Sequence, residues 1–229
     1  MSRAHRLSPF SLTVGAFVAC GPSVEETQGG GGEGGEGGGD PEPVVTVLTP
    51  DVPPLPGFDV CEVEIVTGLP LEGQTHVDVC SAVTYGTNPP SSGDHWPLWA
   101  EYRAHDVVVP RMMWVHNLEH GAIVMAHSCD EACTDQARET FESIAESFGV
   151  DEICAASATP QRSRILVTED PDLDRPVALA AWRATYRATC LDPASLLDFV
   201  ESHYGKGPEA TCAPGKDPED PSTGVPACD

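Results

Sequence analysis

Nine cysteines punctuate the chain, and eight of them fall after residue 60: Cys61, Cys80, Cys129, Cys133, Cys154, Cys190, Cys212 and Cys228. An even set of thiols spread this widely suits four disulfides formed in an oxidising compartment, and such a framework ties together segments that a small core alone would hold loosely. Their order suggests Cys61 with Cys80, Cys154 with Cys190, and Cys212 with Cys228. A thiolate zinc site would need Cys-x-x-Cys pairs; the only close pair, Cys129-Asp-Glu-Ala-Cys133, has the wrong spacing for a zinc ribbon.

The ninth cysteine, Cys20, has a different setting. It closes the apolar run Leu7 to Ala19, which follows the basic start Met1-Ser2-Arg3-Ala4-His5-Arg6. That is the layout of a secretory signal peptide over residues 1–19 whose removal leaves a cysteine free for lipid attachment. Thirteen residues containing Pro9 are too few to span a bilayer. The expected product is an exported protein, lipid-anchored through Cys20 to a membrane of the bacterial cell envelope.

Thirty-six acidic residues against twelve basic ones leave a formal charge of -24. A surface that negative repels phosphate backbones and excludes nucleic acid as a natural partner. It equally disfavours broad docking on anionic lipid, so membrane attachment would rest on the acyl chains.

Residues 20–58 read as the lipidated cysteine followed by a tether. Residues 28–43 are almost wholly Gly, Glu, Asp and Pro and offer no core anchor, and Pro53, Pro54 and Pro56 extend the irregular stretch to Phe58. Residues 210–229 read as an acidic, proline-rich tail. Between them, residues 59–209 suffice for one folded domain. Ala122–Ala126 is a β-rich run. From Asp135 to Phe148, Ala137, Phe141, Ile144, Ala145 and Phe148 share one helical face, with Gly149 as the stop. Arg164–Thr168 and Pro176–Tyr186 read as one strand each, and Asp192 caps a helix reaching Tyr204 with Pro193 in its first turn. The expected fold is α+β: a single compact domain, a mainly antiparallel sheet with helices packed on it, stabilised by disulfides.

Six of the eight histidines lie between residues 76 and 127. His95 ends a turn-rich stretch, Tyr85 to Pro97, in which prolines stiffen the backbone and Gly93 permits a left-handed residue just before the ring. His116 and His120 sit four apart in Trp114-Val-His-Asn-Leu-Glu-His-Gly121. On a helix their Cβ atoms would be roughly 5–6 Å apart, close enough to share an ion. In an extended chain the alpha carbons would be about 13 Å apart, near the limit. As a string, His116 to His120 also fits the His-x-x-Glu-His pattern of the inverted zinc peptidases, with Glu119 as general base. Those enzymes need a long helix around the motif, whereas Gly121 and the apolar run after it read as a helix ending in a strand.

Asn88-Pro-Pro-Ser-Ser-Gly-Asp-His95, Val115-His-Asn-Leu-Glu-His-Gly121, Ala181-Trp182 and Tyr204-Gly-Lys-Gly-Pro-Glu209 occur in an order that resembles the bacterial domain-of-unknown-function family 3105. His76-Val77 falls where that family tends to carry His-Val. Ser91 stands where threonine is usual in the family, and His127 where an aromatic is expected. The resemblance spans residues 76 to about 209 and implies no activity.

Neutral imidazoles suit transition metals, and a histidine set points to copper or zinc rather than calcium or magnesium. Met112, Met113 and Met125 are better read as core than as thioether ligands. The expectation is an extracytoplasmic protein binding copper or zinc through His76, His95, His116 and His120. Glu119 would accept an imidazole N–H and fix the ring's tautomer, or else be a direct ligand. Two other classes stay open: a metal-dependent hydrolase or oxidase using Glu119 as acid/base, and a non-catalytic surface module whose histidines are simply core residues.

Overall fold

The strands are five residues each because the apolar runs of this chain are short, while the helices range from 4 to 18 residues. The computed structural model describes residues 42–228, apart from the side chains of Glu131, Ala132 and Pro221. The expected signal segment, Cys20 and the glycine-rich run through residue 41 lie outside the described residues. In order come β1 (Val44–Leu48), β2 (Val63–Thr67), α1 (Arg111–Glu119), β3 (Ile123–His127), α2 (Glu131–Phe148), α3 (Glu152–Ala155), β4 (Ile165–Glu169), β5 (Val177–Ala181), β6 (Ala184–Ala188) and α4 (Pro193–His203).

All six strands join one sheet in the order β1-β2-β6-β5-β3-β4. Every pairing is antiparallel except β3 with β4. That parallel pair follows from the intervening α2 and α3, since two strands running the same way need a crossover. The result is the expected α+β domain: a mainly antiparallel sheet with helices packed on it.

Because side chains alternate across a strand, the sheet has two buried faces. Ile123, Met125, Ile165, Val167, Val177, Leu179 and Tyr186 meet Ala137, Phe141 and Ile144 of α2 and Leu196, Phe199 and Val200 of α4. Val124, Leu166 and Ala180 point the other way, onto Met113, Trp114 and Leu118 of α1 and onto Trp96. The second face, with α1, carries His116 and His120. α2 begins four residues before the expected start because the Asp130 carboxylate accepts from the Cys133 N–H. Gly149, at φ 100°, ends it. Asp192 caps α4 through the Ser195 N–H with Pro193 behind it.

Three expectations need correction. The segment Pro176–Tyr186 is a hairpin rather than one strand: β5 and β6 turn about Trp182 and Arg183, with Arg183 at φ 60°. Val44–Leu48, assigned by composition to the tether, is an edge strand hydrogen-bonded to β2 although its side chains are exposed. The disulfides also pair differently, joining Cys61 to Cys190, Cys80 to Cys228, Cys129 to Cys133 and Cys154 to Cys212. Cys61 and Cys190 lie opposite each other at one end of the β2–β6 ladder, and the tail returns across the domain, so partners distant in sequence meet. Among the described residues no helix is long and apolar enough to cross a membrane.

Candidate metal centre

Two loops and one helix end build the centre. The loop through Thr75–Val77 lies beside the loop through Gly93–His95: His95 N–H donates to Thr75 O at 3.0 Å and Val77 N–H to His95 O at 2.8 Å. This short parallel bridge sets His76 next to His95. The second loop is fixed from behind. Tyr85 OH donates to Asp94 O at 2.9 Å, and Asp94 Oδ1 accepts the Thr75 N–H at 3.0 Å. At Gly93, φ is 133° and an added Cβ would meet the Tyr85 ring at 2.7 Å, so glycine is required on both conformational and steric grounds.

α1 supplies His116 and Glu119, and His120 caps its end. Ring centroids of His76, His95 and His116 lie 4.7 to 5.1 Å from one another. His120 stands 4.6 Å from His116, and the Trp99 indole borders both at 5.0 and 4.9 Å. One ligand atom from each of His76, His95, His116 and Glu119 lies within 4.8 Å of the other three. His95, His116 and Glu119 are buried, while the His76 side chain is 52% exposed, so the cluster opens to solvent on that side.

The hydrogen bonds decide which nitrogens face the centre. His95 Nδ1 donates to Gly93 O at 2.8 Å, and His116 Nδ1 donates to Trp96 O at 2.8 Å. A carbonyl can only accept, so both protons sit on Nδ1 and, in the neutral rings, Nε2 keeps its lone pair. Backbone carbonyls orienting imidazoles in this way are the usual support of metal-ligating histidines. His95 Nε2 lies 3.1 Å from Glu119 Oε2, and His76 Nε2 lies 4.0 Å from the same oxygen. Two lone pairs at 3.1 Å repel unless a proton or a cation joins them. Burial, then the neighbouring His120 ring, pushes His116 down to about 3, against the bond to Trp96 O. Burial likewise pushes His120 down to about 4, with Glu209 pulling the other way. Both rings are therefore neutral and nucleophilic at ordinary pH.

His120 is held apart from the group of four by its own partner: its Nε2 lies 3.3 Å from Glu209 Oε2. The segment after α4 delivers that carboxylate. Gly205 N–H donates to Gly121 O at 2.9 Å and Glu209 N–H to Glu119 O at 3.0 Å. Arg164 locks the same corner, donating from Nη1 to His120 O at 2.6 Å and from Nε to Asp151 Oδ2 at 2.9 Å. Tyr204 OH donates to that Asp151 oxygen at 2.5 Å.

The matching family model is described as a protein of unknown function (DUF3105) and covers residues 76–215. The chain belongs to that family. No curated protein and no solved structure matches it. Within this DUF3105 chain the matched region runs from His76, the first residue of the cluster, past Glu209, so it holds every side chain of the centre. Sequence patterning singled out the four histidines but treated Glu119 chiefly as a supporting group, whereas its carboxylate is part of the convergent set. Trp99 and Glu209 carried no chemical signal of their own; Trp99 reads as an ordinary aromatic, and Glu209 gains a role only through the return of the chain after α4. His127, which stands where the family is expected to carry an aromatic, is buried on the opposite face of the sheet from α1, with neither ring nitrogen hydrogen-bonded. Met113 and Met125 are core residues.

Proposed function

We propose that this DUF3105 protein is an exported envelope protein, lipid-anchored through Cys20, that binds a transition-metal ion, copper or zinc, at its histidine cluster. The convergence of His76, His95, His116 and Glu119, with two Nδ1 protons already committed to backbone carbonyls, carries the reading. Three imidazoles and one carboxylate form a donor set of intermediate softness that suits zinc or copper(II). His120, paired with Glu209, borders the ion together with Trp99 and limits the space around it. Four disulfides favour an oxidising compartment, in keeping with export.

A binding role is favoured over a hydrolytic or oxidative one by the position of Glu119. A carboxylate 3.1 Å from His95 Nε2 lies among the ligand atoms, and as a ligand it is not free to act as a general base. The test is metal content of the chelator-stripped full chain after exposure to copper or zinc at neutral pH. One tightly held ion per chain, with affinity lowered 10- to 100-fold or more by His116→Gln and by Glu119→Gln, supports the reading. No ion retained at this cluster, with melting unchanged by either metal, overturns it. Turnover in a broad hydrolase and oxidase screen that Glu119→Gln abolishes while the metal stays bound would favour the enzyme instead.

A further inference from the structure

The acidic tail does not trail away from the domain but folds back over the loop 99–106. Lys216 N–H donates to Trp99 O at 2.8 Å, Glu101 N–H to Lys216 O at 3.1 Å, and Trp99 Nε1 to Ala213 O at 3.2 Å. Gly215 sits so tightly on Ala100 that a Cβ would lie 2.2 Å from its carbonyl atoms. This seating carries Asp217 and Glu219 to His105.

His105 is 1% exposed. Its Nε2 donates to Glu101 O at 2.9 Å, which leaves Nδ1 with a lone pair, and Nδ1 is buried without a hydrogen-bond partner. An unsatisfied buried nitrogen costs about 1–3 kcal/mol, so something should complete it. It lies 3.8 Å from Glu219 Oε1, and ligand atoms of His105, Asp217 and Glu219 all fall within 4.8 Å of one another. The carboxylates are pinned: Glu219 Oε1 accepts from Asp106 N–H at 2.6 Å and Asp217 Oδ1 from Glu219 N–H at 2.9 Å. Arg103 binds Asp217 at 2.7 Å, Glu219 at 3.2 Å and Glu101 at 3.4 Å. Three carboxylates around one guanidinium leave two negative charges in excess, the charge that a divalent cation would match.

We propose that His105 Nδ1, Asp217 and Glu219 form a second cation site, separate from the His116 cluster, which takes a zinc-like divalent ion and clamps the tail onto the domain. The imidazole disfavours calcium and magnesium, and the two carboxylates disfavour copper(I). Zinc binds such ligands at about 2 Å, so an Nδ1 and an Oε1 now 3.8 Å apart need to close by only a few tenths of an ångström to share it. Arg103 stays on the carboxylates and screens the residual charge. Its role at this site does not depend on what the His116 cluster binds.

The full chain, stripped with chelator and loaded with Zn2+, tests this by zinc stoichiometry and by amide exchange over residues 216–220, each with and without zinc. The wild type should show zinc-dependent slowing of tail exchange by tenfold or more, and His116→Gln should keep it. Asp217→Asn combined with Glu219→Gln should lose one equivalent of zinc and the slowing together. Unchanged tail exchange in the wild type on adding zinc overturns the proposal even should the double variant fold poorly. An unaltered zinc count in a folded double variant overturns it as well.

Discussion

Asn117 clasps the backbone of Ala100 from both sides: its Oδ1 accepts the Ala100 N–H at 2.9 Å and its Nδ2 donates to the Ala100 carbonyl at 2.8 Å. Both residues are fully buried, and the clasp is a direct tie between α1 and the loop that carries Trp99 past His116 and His120. Asn117→Asp keeps the shape but removes a donor and places a charge in the interior. The expected cost is about 3–5 kcal/mol, with Asn117→Ala costing less, since it leaves unpaired backbone groups without the charge. Urea unfolding of both variants checks the order; an aspartate variant as stable as wild type would show that the clasp has no role.

The close approach of Gly207 to the end of α1 predicts a second effect. A Cβ there would lie 2.3 Å from Gly121 N and 2.4 Å from Glu119 O, both backbone atoms that cannot swing aside. Gly207→Ala must push the 205–209 segment outward, loosening Glu209 from His120. The expected loss is about 1–3 kcal/mol of stability, as for other forced overpacking. Metal retention at the His116 cluster should also fall, because moving that segment breaks the Glu209 N–H to Glu119 O bond that steadies the end of α1. Thermal melting and zinc or copper content of the same sample measure the two together.

What could be read from the chain alone follows from how local each feature is. α2 and α4 were legible because one apolar face and capping residues at Asp192 and Gly149 all lie within the segment itself. The β5–β6 hairpin was hidden because only Trp182-Arg183 separates the two strands, neither a residue that usually marks a left-handed position. β1 was hidden because Val44–Leu48 buries nothing; only its backbone pairing with β2 makes it a strand. The disulfide partners depend on where the tail returns, which no local pattern encodes. At the site, residue type and the four-residue spacing of His116 and His120 placed the rings side by side. That His120 turns to Glu209, and that Glu119 joins His76 and His95, depends on contacts between segments 24 to 89 residues apart.

Buried neutral imidazoles give the metal-free chain a defined pH response. Folded His116 and His120 titrate at about 3 and about 4, below the roughly 6.5 of an unfolded histidine, chiefly through burial. Burial also holds His127 below its ordinary value. Between those limits the unfolded chain binds protons that the folded chain does not, so stability is complete above about pH 6.5 and is lost as pH falls. The ceiling is on the order of 1 kcal/mol per pH unit for each group. Urea midpoints taken in the presence of chelator should be flat from pH 8 to 7 and decline from 6.5 to 5, a window above most carboxylate titration. His120→Asn should make the decline shallower; a midpoint indifferent to pH across that window would contradict the burial of these rings.

The four disulfides should differ in worth according to how much chain each one constrains. Cys80–Cys228 joins residues 148 apart, whereas Cys129–Cys133 spans a separation of 4. On the loop-entropy account the first is worth up to about 5 kcal/mol and the second about 2 kcal/mol, the larger figure being reduced because other bridges already shorten the free path. Location sharpens the contrast. Cys133 lies in the first turn of a helix already capped by Asp130, while Cys228 closes the tail that carries Asp217 and Glu219 across the loop 99–106. Paired serine substitutions at Cys80 and Cys228 should therefore lower the melting temperature more than the same change at Cys129 and Cys133, and should speed amide exchange in residues 213–225. If the two double variants melt alike, the tail is held by its hydrogen bonds to Trp99 and Glu101 and the long bridge adds nothing to them.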